Sequence, residues 1–280
     1  MSRPMQDCVP YPNAPLHRVK QVGLLLYLCV SGMLVEMPVA QAQITSADDR
    51  TTVTERGNQF TIIGGQLSGD NLNLFHSFEE FGLSAGQEAI FGDPGVQNIL
   101  SRVVGGEPSL IDGLIEVASQ GNPNFYLMNP AGIVFGANAS LDIPGSFTAT
   151  TADGIQFGDN WFSAVGDNPY EALSGNPTGF AFSLSEPGTV INSAMNLVGD
   201  PGSEEDVGLA VRPEQSITLM GGTVISMGPV TAPGGNIVLT AVPGESFVRL
   251  SMPGNPLSLE VLPLGNAGSQ PNLPSAIIPT

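Results

Sequence analysis

Between Phe125 and Ala149 apolar and polar residues alternate along the chain. Of the 13 odd-numbered positions there, 11 are apolar or alanine, from Phe125 and Leu127 through Ile133 and Phe135 to Phe147 and Ala149; only Asn129 and Gly145 break the series. The even positions are mostly Gly, Pro, Asn, Ser, Asp or Thr. A period of two marks half-buried strands, and it predicts strands over residues 125–128, 133–135, 139–143 and 146–150. Between the first two lies Asn129-Pro130-Ala131-Gly132. Pro at the second turn position presets φ, the Asn before it can bond its own backbone, and the Gly after it tolerates a left-handed conformation. The segment reads as strand, turn, strand.

Similar punctuation recurs at Gly64-Gly65, Gly105-Gly106, Pro187-Gly188, Gly221-Gly222, Pro233-Gly234-Gly235 and Pro243-Gly244. Segments of strand character lie between them, at residues 61–63, 99–104, 110–117, 189–191, 216–220, 223–225 and 236–242. "GTVI" occurs at 188–191 and again at 222–225, an internal echo in a chain without a clean repeat. Many short strands with glycine corners, and no helical runs to cover a parallel sheet, leave two all-β architectures open: an antiparallel sandwich, or a right-handed β-solenoid of stacked coils. Residues 152–187, which hold the sole tryptophan, Trp161, read as an extension or a coil with long loops. The Pro-rich tail over 251–280 reads as extended or disordered.

Composition narrows the setting. Residues 1–42 look like a signal peptide: His17, Arg18 and Lys20 are basic, Val22 to Val35 is apolar, and Ala40-Gln41-Ala42 suits cleavage. A membrane anchor is the rival reading, but the apolar run falls short of the ~20 residues a spanning helix needs. Both cysteines, Cys8 and Cys29, and the only lysine, Lys20, fall inside this segment. Beyond it, five arginines face 24 acidic residues, for a net charge of −19. That field repels phosphate backbones, so nucleic acid is excluded as a partner.

Candidate chemistry is sparse. His76, in "NLFHSFEEF", is the one histidine after the leader, and beside Phe75 and Phe78 it suits packing better than catalysis. Glu79 and Glu80 are adjacent, so on a regular strand they point to opposite faces. Glu204 to Asp206 lacks the glycine and spacing of a calcium loop. A Walker-type phosphate loop needs a lysine, and any Ser/His pair would have to rely on His76. A polysaccharide-cleaving solenoid would need a basic residue beside a uronate, or carboxylates converging on one groove, and neither pattern is legible. No catalytic residue, metal ligand or cofactor is assigned.

Three stretches, "FHSFEEFGLSAGQEAIF", "VQNILSRVVGGEPSLIDGLIEV" and above all "FYLMNPAGIVFGANASLDIPGSFTATTAD", resemble the two-partner secretion domain of filamentous haemagglutinin-like exoproteins, the haemagglutination activity domain, in its cyanobacterial style. The resemblance implies a right-handed parallel β-helix with an N-terminal cap and an extra-helical hairpin. It places the secretion domain at 43–182 and following coils at 183–250. It further implies export by the inner-membrane machinery through the signal peptide, then recognition by an outer-membrane β-barrel transporter with POTRA domains. No cofactor is implied. The family's Asn-Pro-Asn-Gly turn maps onto Asn129, Pro130, Ala131 and Gly132, with Ala131 departing from the pattern. A second Asn-Pro motif has two candidates, Asp93-Pro94-Gly95 and Asn122-Pro123-Asn124. The function implied is a secretion-targeting module of a surface or released adhesin, with cell-surface glycans as downstream targets. The alternative is a stand-alone extracellular solenoid that binds or cleaves polysaccharide.

Overall fold

The computed structural model describes residues 43–195, 208–250 and 259–263. The proposed signal peptide, the acidic stretch Glu204 to Asp206 and most of the Pro-rich tail lie outside the described residues. The described residues all belong to one compact unit.

The chain winds as a parallel β-helix with three faces. The first face stacks Asn73–Phe81, Asn98–Val103, Asn124–Met128, Phe147–Thr150, Ile217–Gly221 and Ile237–Ala241, all in parallel. The second stacks Ser109–Ile111, Ile133–Phe135, Thr189–Asn192 and Thr223–Ser226. The third stacks Gln59–Gly64, Glu88–Gly92, Leu114–Ala118 and Ser140–Asp142, and later coils add the pair Leu209–Ala210 and Val230–Thr231. Right-handed crossovers are the rule for parallel strands of one sheet. Of the two architectures the pattern left open, the solenoid is the one adopted. The GTVI echo is one coil lying on the next, with Thr189 opposite Thr223, Val190 opposite Val224 and Ile191 opposite Ile225.

The stretch from Leu110 to Val117, which reads as a single strand, is two. Ser109–Ile111 and Leu114–Ala118 are separated by a corner at Asp112, whose carboxylate accepts bonds from the Asn138 amide N–H (2.7 Å) and Nδ2 (3.0 Å) one coil on. A solenoid needs such corners every few residues, and an apolar run conceals them.

Two antiparallel strands cap the N-terminal end. Ile44–Ser46 pairs with Asn73–Phe81, and Thr51–Arg56 pairs with Gln59–Gly64. Beneath them Ile44, Phe60, Phe78, Phe81 and Phe91 are buried, so the first coil's core is sealed from water. A register shift between Thr45 and Ser46 leaves Glu79 unpaired opposite that strand. Glu79 and Glu80 are consequently both exposed, where a regular strand would bury one of them.

The segment 152–187 leaves the helix and builds a second sheet. Gly154–Phe157 and Asn160–Ser163 form a hairpin that continues through Gly179–Phe182 to Ser246–Leu250 and Leu259–Pro263, all antiparallel. Its apolar side, including Ile155, Phe162, Phe180 and Val248, covers the outer side of the first face at Phe75, Leu100, Met128 and Met220. First-face strands are thus apolar on both sides, and Asn98–Val103 is buried along its whole length. Arg102 pins the cover: its Nε donates to Ser77 Oγ (2.9 Å), and its Nη1 donates to the carbonyls of Ser163 (2.6 Å) and Gly166 (3.0 Å). Asp153 accepts from the amides of Ser183 (2.9 Å) and Leu184 (3.2 Å), and burial pushes its carboxyl pKa up.

Inside the helix, aromatic rings form a spine. The Phe91 and Phe125 centroids lie 4.7 Å apart, Phe125 and Phe147 6.3 Å, and Phe147 and Phe135 5.9 Å. Phe125 touches coils on either side and is fully buried. Truncation there, Phe125→Ala, is expected to destabilise the folded unit by about 3–5 kcal/mol, read as a lower urea midpoint for residues 43–280 with little change in slope.

Candidate functional site

The turn Asn129 to Gly132 joins the first face to the second, and it is closed by its own atoms. Asn129 Oδ1 accepts from the Ala131 amide (3.0 Å), and the Gly132 amide donates to the Asn129 carbonyl (3.1 Å). Gly132 has φ +133°, in the region that disfavours a side chain. This is the turn chemistry that the Asn-Pro-x-Gly order calls for.

Neighbouring coils then fix the turn from both sides. Asn129 Nδ2 donates to the Glu107 carbonyl (3.0 Å) and to Ser109 Oγ (2.9 Å) in the preceding coil, and the Ser109 amide donates to the Gly132 carbonyl (3.0 Å). In the following coils the Thr150 carbonyl accepts from the Asn129 amide (3.0 Å), and the Gly188 amide donates to the Pro130 carbonyl (3.1 Å). A side chain at Gly188 would run into Pro130 and Ala131, so this corner stacks on glycine by necessity. Asn129 is 1% exposed, while Pro130 and Ala131 are half-buried. Ala131 brings no side-chain amide, and the turn closes without one.

Both candidates for a second Asn-Pro motif fall at another corner, between the third face and the first, on successive coils. Asp93 Oδ1 accepts from the amides of Gly95 (2.8 Å) and Val96 (2.9 Å), which gives Asp93-Pro94-Gly95 the same self-closed geometry. In Asn122-Pro123-Asn124 the residue that bonds across coils is Asn124. Its Nδ2 donates to Asn98 Oδ1 (3.0 Å), Asn98 Nδ2 donates to Asn73 Oδ1 (2.8 Å), and Asn124 Oδ1 accepts from the Ser146 amide (3.0 Å). Ser146 Oγ accepts from the Ser216 amide (3.1 Å), and Ser216 Oγ from the Asn236 amide (3.0 Å). A ladder of Asn and Ser therefore runs down the mouth of the first face. The sequence does carry its signal: "NLF", "NIL", "NFY", "SFT", "SIT" and "NIV" each open a first-face strand. The unequal spacing, interrupted by the 152–187 excursion, hides it.

His76 lies in the core, fully buried against the rings of Phe78 and Phe91. Its Nδ1 is 3.3 Å from Thr51 Oγ1, and its Nε2 has no hydrogen-bond partner among the described residues. Burial, partly offset by Asp48, lowers its pKa to about 4. The imidazole is a neutral packing element with no path to a substrate. Among the described residues no three of His, Cys, Asp and Glu gather as metal ligands.

These features define a class: a capped parallel β-helix with an Asn-Pro-x-Gly turn at one corner and an antiparallel sheet laid over one face. A family model described as the TPS secretion domain matches residues 39–260. The chain belongs to this family of two-partner secretion domains. The solved HMW1 secretion domain from Haemophilus influenzae is similar in fold, with a TM-score of 0.53 and 17% identity over 78% of this chain and 48% of that one. The chain thus spans about half the length of that relative. A filamentous hemagglutinin secretion domain aligns at a TM-score of 0.39 and 15% identity, over 70% of this chain and 99% of that one. A search of curated proteins found no significant match.

Two outcomes follow from this geometry. Asn129→Ala removes the acceptor for the Ala131 amide and strips the buried Ser109 hydroxyl and the part-buried Glu107 carbonyl of their donor, at a cost of about 2–3 kcal/mol. Asn129→Asp keeps the first bond but sets a carboxylate oxygen against the Glu107 carbonyl, so urea unfolding should find it no more stable than the alanine variant. The second outcome concerns pH. The open chain binds a proton at His76 with the ordinary pKa of 6.5, and the folded chain only at about 4. Stability from this group is full above pH 6.5 and falls as pH drops toward 4, by about 3 kcal/mol at most. Subtracting the unfolding free energies of a His76→Leu variant from those of the parent, pH by pH, should isolate that slope.

Proposed function

We propose that this chain is the transporter-addressed, fold-initiating module of an exported haemagglutinin-like protein. It is delivered to the periplasm by its N-terminal 42 residues and recognised there by an outer-membrane β-barrel through that barrel's periplasmic domains. The observation that carries this reading is a coincidence of extents. The family match, residues 39–260, begins just before the capping strand Ile44–Ser46 and ends within the last strand of the covering sheet, Leu259–Pro263. The matched unit and the folded unit are the same object, with no separate catalytic or binding domain inside the described residues.

The corner geometry supports an order of events. In the folded coil every polar group of the Asn129 side chain is engaged internally, and the side chain is out of reach of a partner. A transporter that reads Asn129 must do so while the segment is extended, before coils close on either side. Composition favours such a delay. After residue 42 there is no cysteine to lock a loop, and the net charge of −19 opposes collapse. An extended strand can pair with a sheet edge of the transporter through backbone bonds alone. Once outside, the Asn129 turn, bonded to the coils before and after it, is the corner on which winding starts. Adhesion to cell-surface glycans is the downstream role of the exported protein in this reading.

Replacing Asn129 and Pro130 together by alanine should reduce release into the medium by roughly tenfold in a host carrying the transporter, with the chain retained in the periplasm. Phe125→Ala, which weakens the fold without touching the turn, controls for stability and should be released more efficiently. Undiminished release of the double variant would sink the reading.

A further inference from the structure

A buried polar chain joins the N-terminal cap to the first coil. Thr51 opens the cap strand Thr51–Arg56 and is buried, and its Oγ1 accepts from the Ser77 amide (3.2 Å). The same oxygen lies 3.3 Å from Nδ1 of His76, the residue before Ser77 on Asn73–Phe81. Among the described residues the Thr51 hydroxyl hydrogen has Nδ1 as its acceptor, which leaves the ring proton on Nε2. Asp48 Oδ1 steadies Thr51 by accepting from its amide (3.1 Å).

This arrangement has no place for a second ring proton. Protonated at Nδ1, the imidazole donates on both sides. It then meets the Thr51 hydroxyl hydrogen with a hydrogen of its own, while Thr51 Oγ1 is already engaged by the Ser77 amide. The other side of the ring gives no compensation. Nε2 has no partner, and neither does the buried Oγ of Ser101, which stands opposite His76 on the next coil.

Nor does a carboxylate reach the ring from the strands around it. Phe78 and Phe91 pack against it, and a side chain at Gly65 would run into its Cε1. Glu79 and Glu80 on its own strand are exposed, as are Glu55 and Arg56 on the cap strand. Glu88 is held by Gln59 Nε2 (2.8 Å), and Arg102 turns to the other side of its strand to reach Ser77 Oγ. Burial depresses the basicity of His76, and the charge of Asp48 offsets only part of that, leaving the pKa at about 4.

We infer that His76 is an acid-released latch on the cap: when the ring takes a proton, residues 43–56 lift from the first coil while the coils beyond stay wound. The ring lies in the outermost coil at this end, directly under Thr51, so departure of the cap is enough to wet it. The coils from Asn98–Val103 onward keep their own ladder. Lifting Ile44–Ser46 also bares the edge of the first-face strand over Phe78–Phe81, so acid turns a closed end into one that can accept a strand.

The open cap leaves His76 with its ordinary pKa of 6.5 and the closed cap holds it at about 4. Closure is therefore full above pH 6.5 and weakens as pH falls toward 4. Hydrogen exchange on residues 43–280, corrected for the intrinsic effect of pH, reads this directly. Protection of Ile44–Ser46 and Thr51–Arg56 relative to Asn124–Met128 should fall roughly twentyfold between pH 7 and pH 5. His76→Leu should remove most of that fall. Equal loss of protection in cap and coils, or the same fall in the variant, would overturn the inference. The parent alone supplies a second measurement, because His76 is the only histidine in residues 43–280. Its ring signal in proton NMR should titrate in step with opening of the cap. A ring that takes its proton while the cap strands stay protected would equally rule the latch out.

Discussion

Hydrogen bonding from coil to coil is the constraint on which this structure depends. In a parallel β-helix each strand finds its backbone partners only in the coils before and after it, so every coil must return to the same register. Corners are where register is won or lost, because there the backbone leaves the ladder and its polar groups must be satisfied by other means. Side-chain amides and carboxylates supply those means here. Asn129 closes one corner, Asp112 and Asp93 others, and Asn192 donates through Nδ2 to the Ser226 hydroxyl and the Gly228 carbonyl further down. The Asn73–Asn98–Asn124 ladder repeats the device on three successive coils.

How much of this is legible in the sequence depends on whether a feature is local. The strands around Asn129 follow from alternation alone, because one face of each packs inward, and the turn follows from Asn, Pro and Gly in adjacent places. The inward-facing residues Phe125, Leu127, Ile133, Phe135, Phe147 and Ala149 are all buried. The exposed Ala137 shows where alternation continues through a corner without structural meaning. What alternation cannot reveal is pairing. Solenoid and sandwich share the same local pattern, and the resemblance to secretion domains, not the periodicity, chose between them. The double burial of the first face was equally hidden, since its cover comes from residues 154–182 and 246–250, remote in sequence from most of the strands they shield. The paired exposure of Glu79 and Glu80 arises from a bulge set by a partner strand some 35 residues away, which no reading of "FEEF" by itself contains.

The candidate site is unusual in being a conformation more than a surface. Its residues carry no charge and are mostly hidden when folded. Their physical information is the order in which bonds become available: the Asx bond within the turn is local, whereas the bonds to Glu107, Ser109, Thr150 and Gly188 require neighbouring coils. A segment of this kind has two identities, an accessible Asn-Pro motif in the extended chain and a buried joint in the wound one. The proposed recognition before folding draws on both from the same residues.

The covering sheet also has a temporal meaning. Its hairpin, Gly154–Phe157 with Asn160–Ser163, is contiguous, but Gly179–Phe182 finds its other neighbour only at Ser246–Leu250. In the export proposed above, whichever terminus emerges first, that pairing cannot form until the segment between them has also emerged. Until then the outer side of the first face, with Phe75, Leu100, Met128 and Met220, lacks the part of its cover that Val248 supplies. The lid is therefore a late event written into topology: the cover is complete only when residues 179–182 and 246–250 are both free to pair.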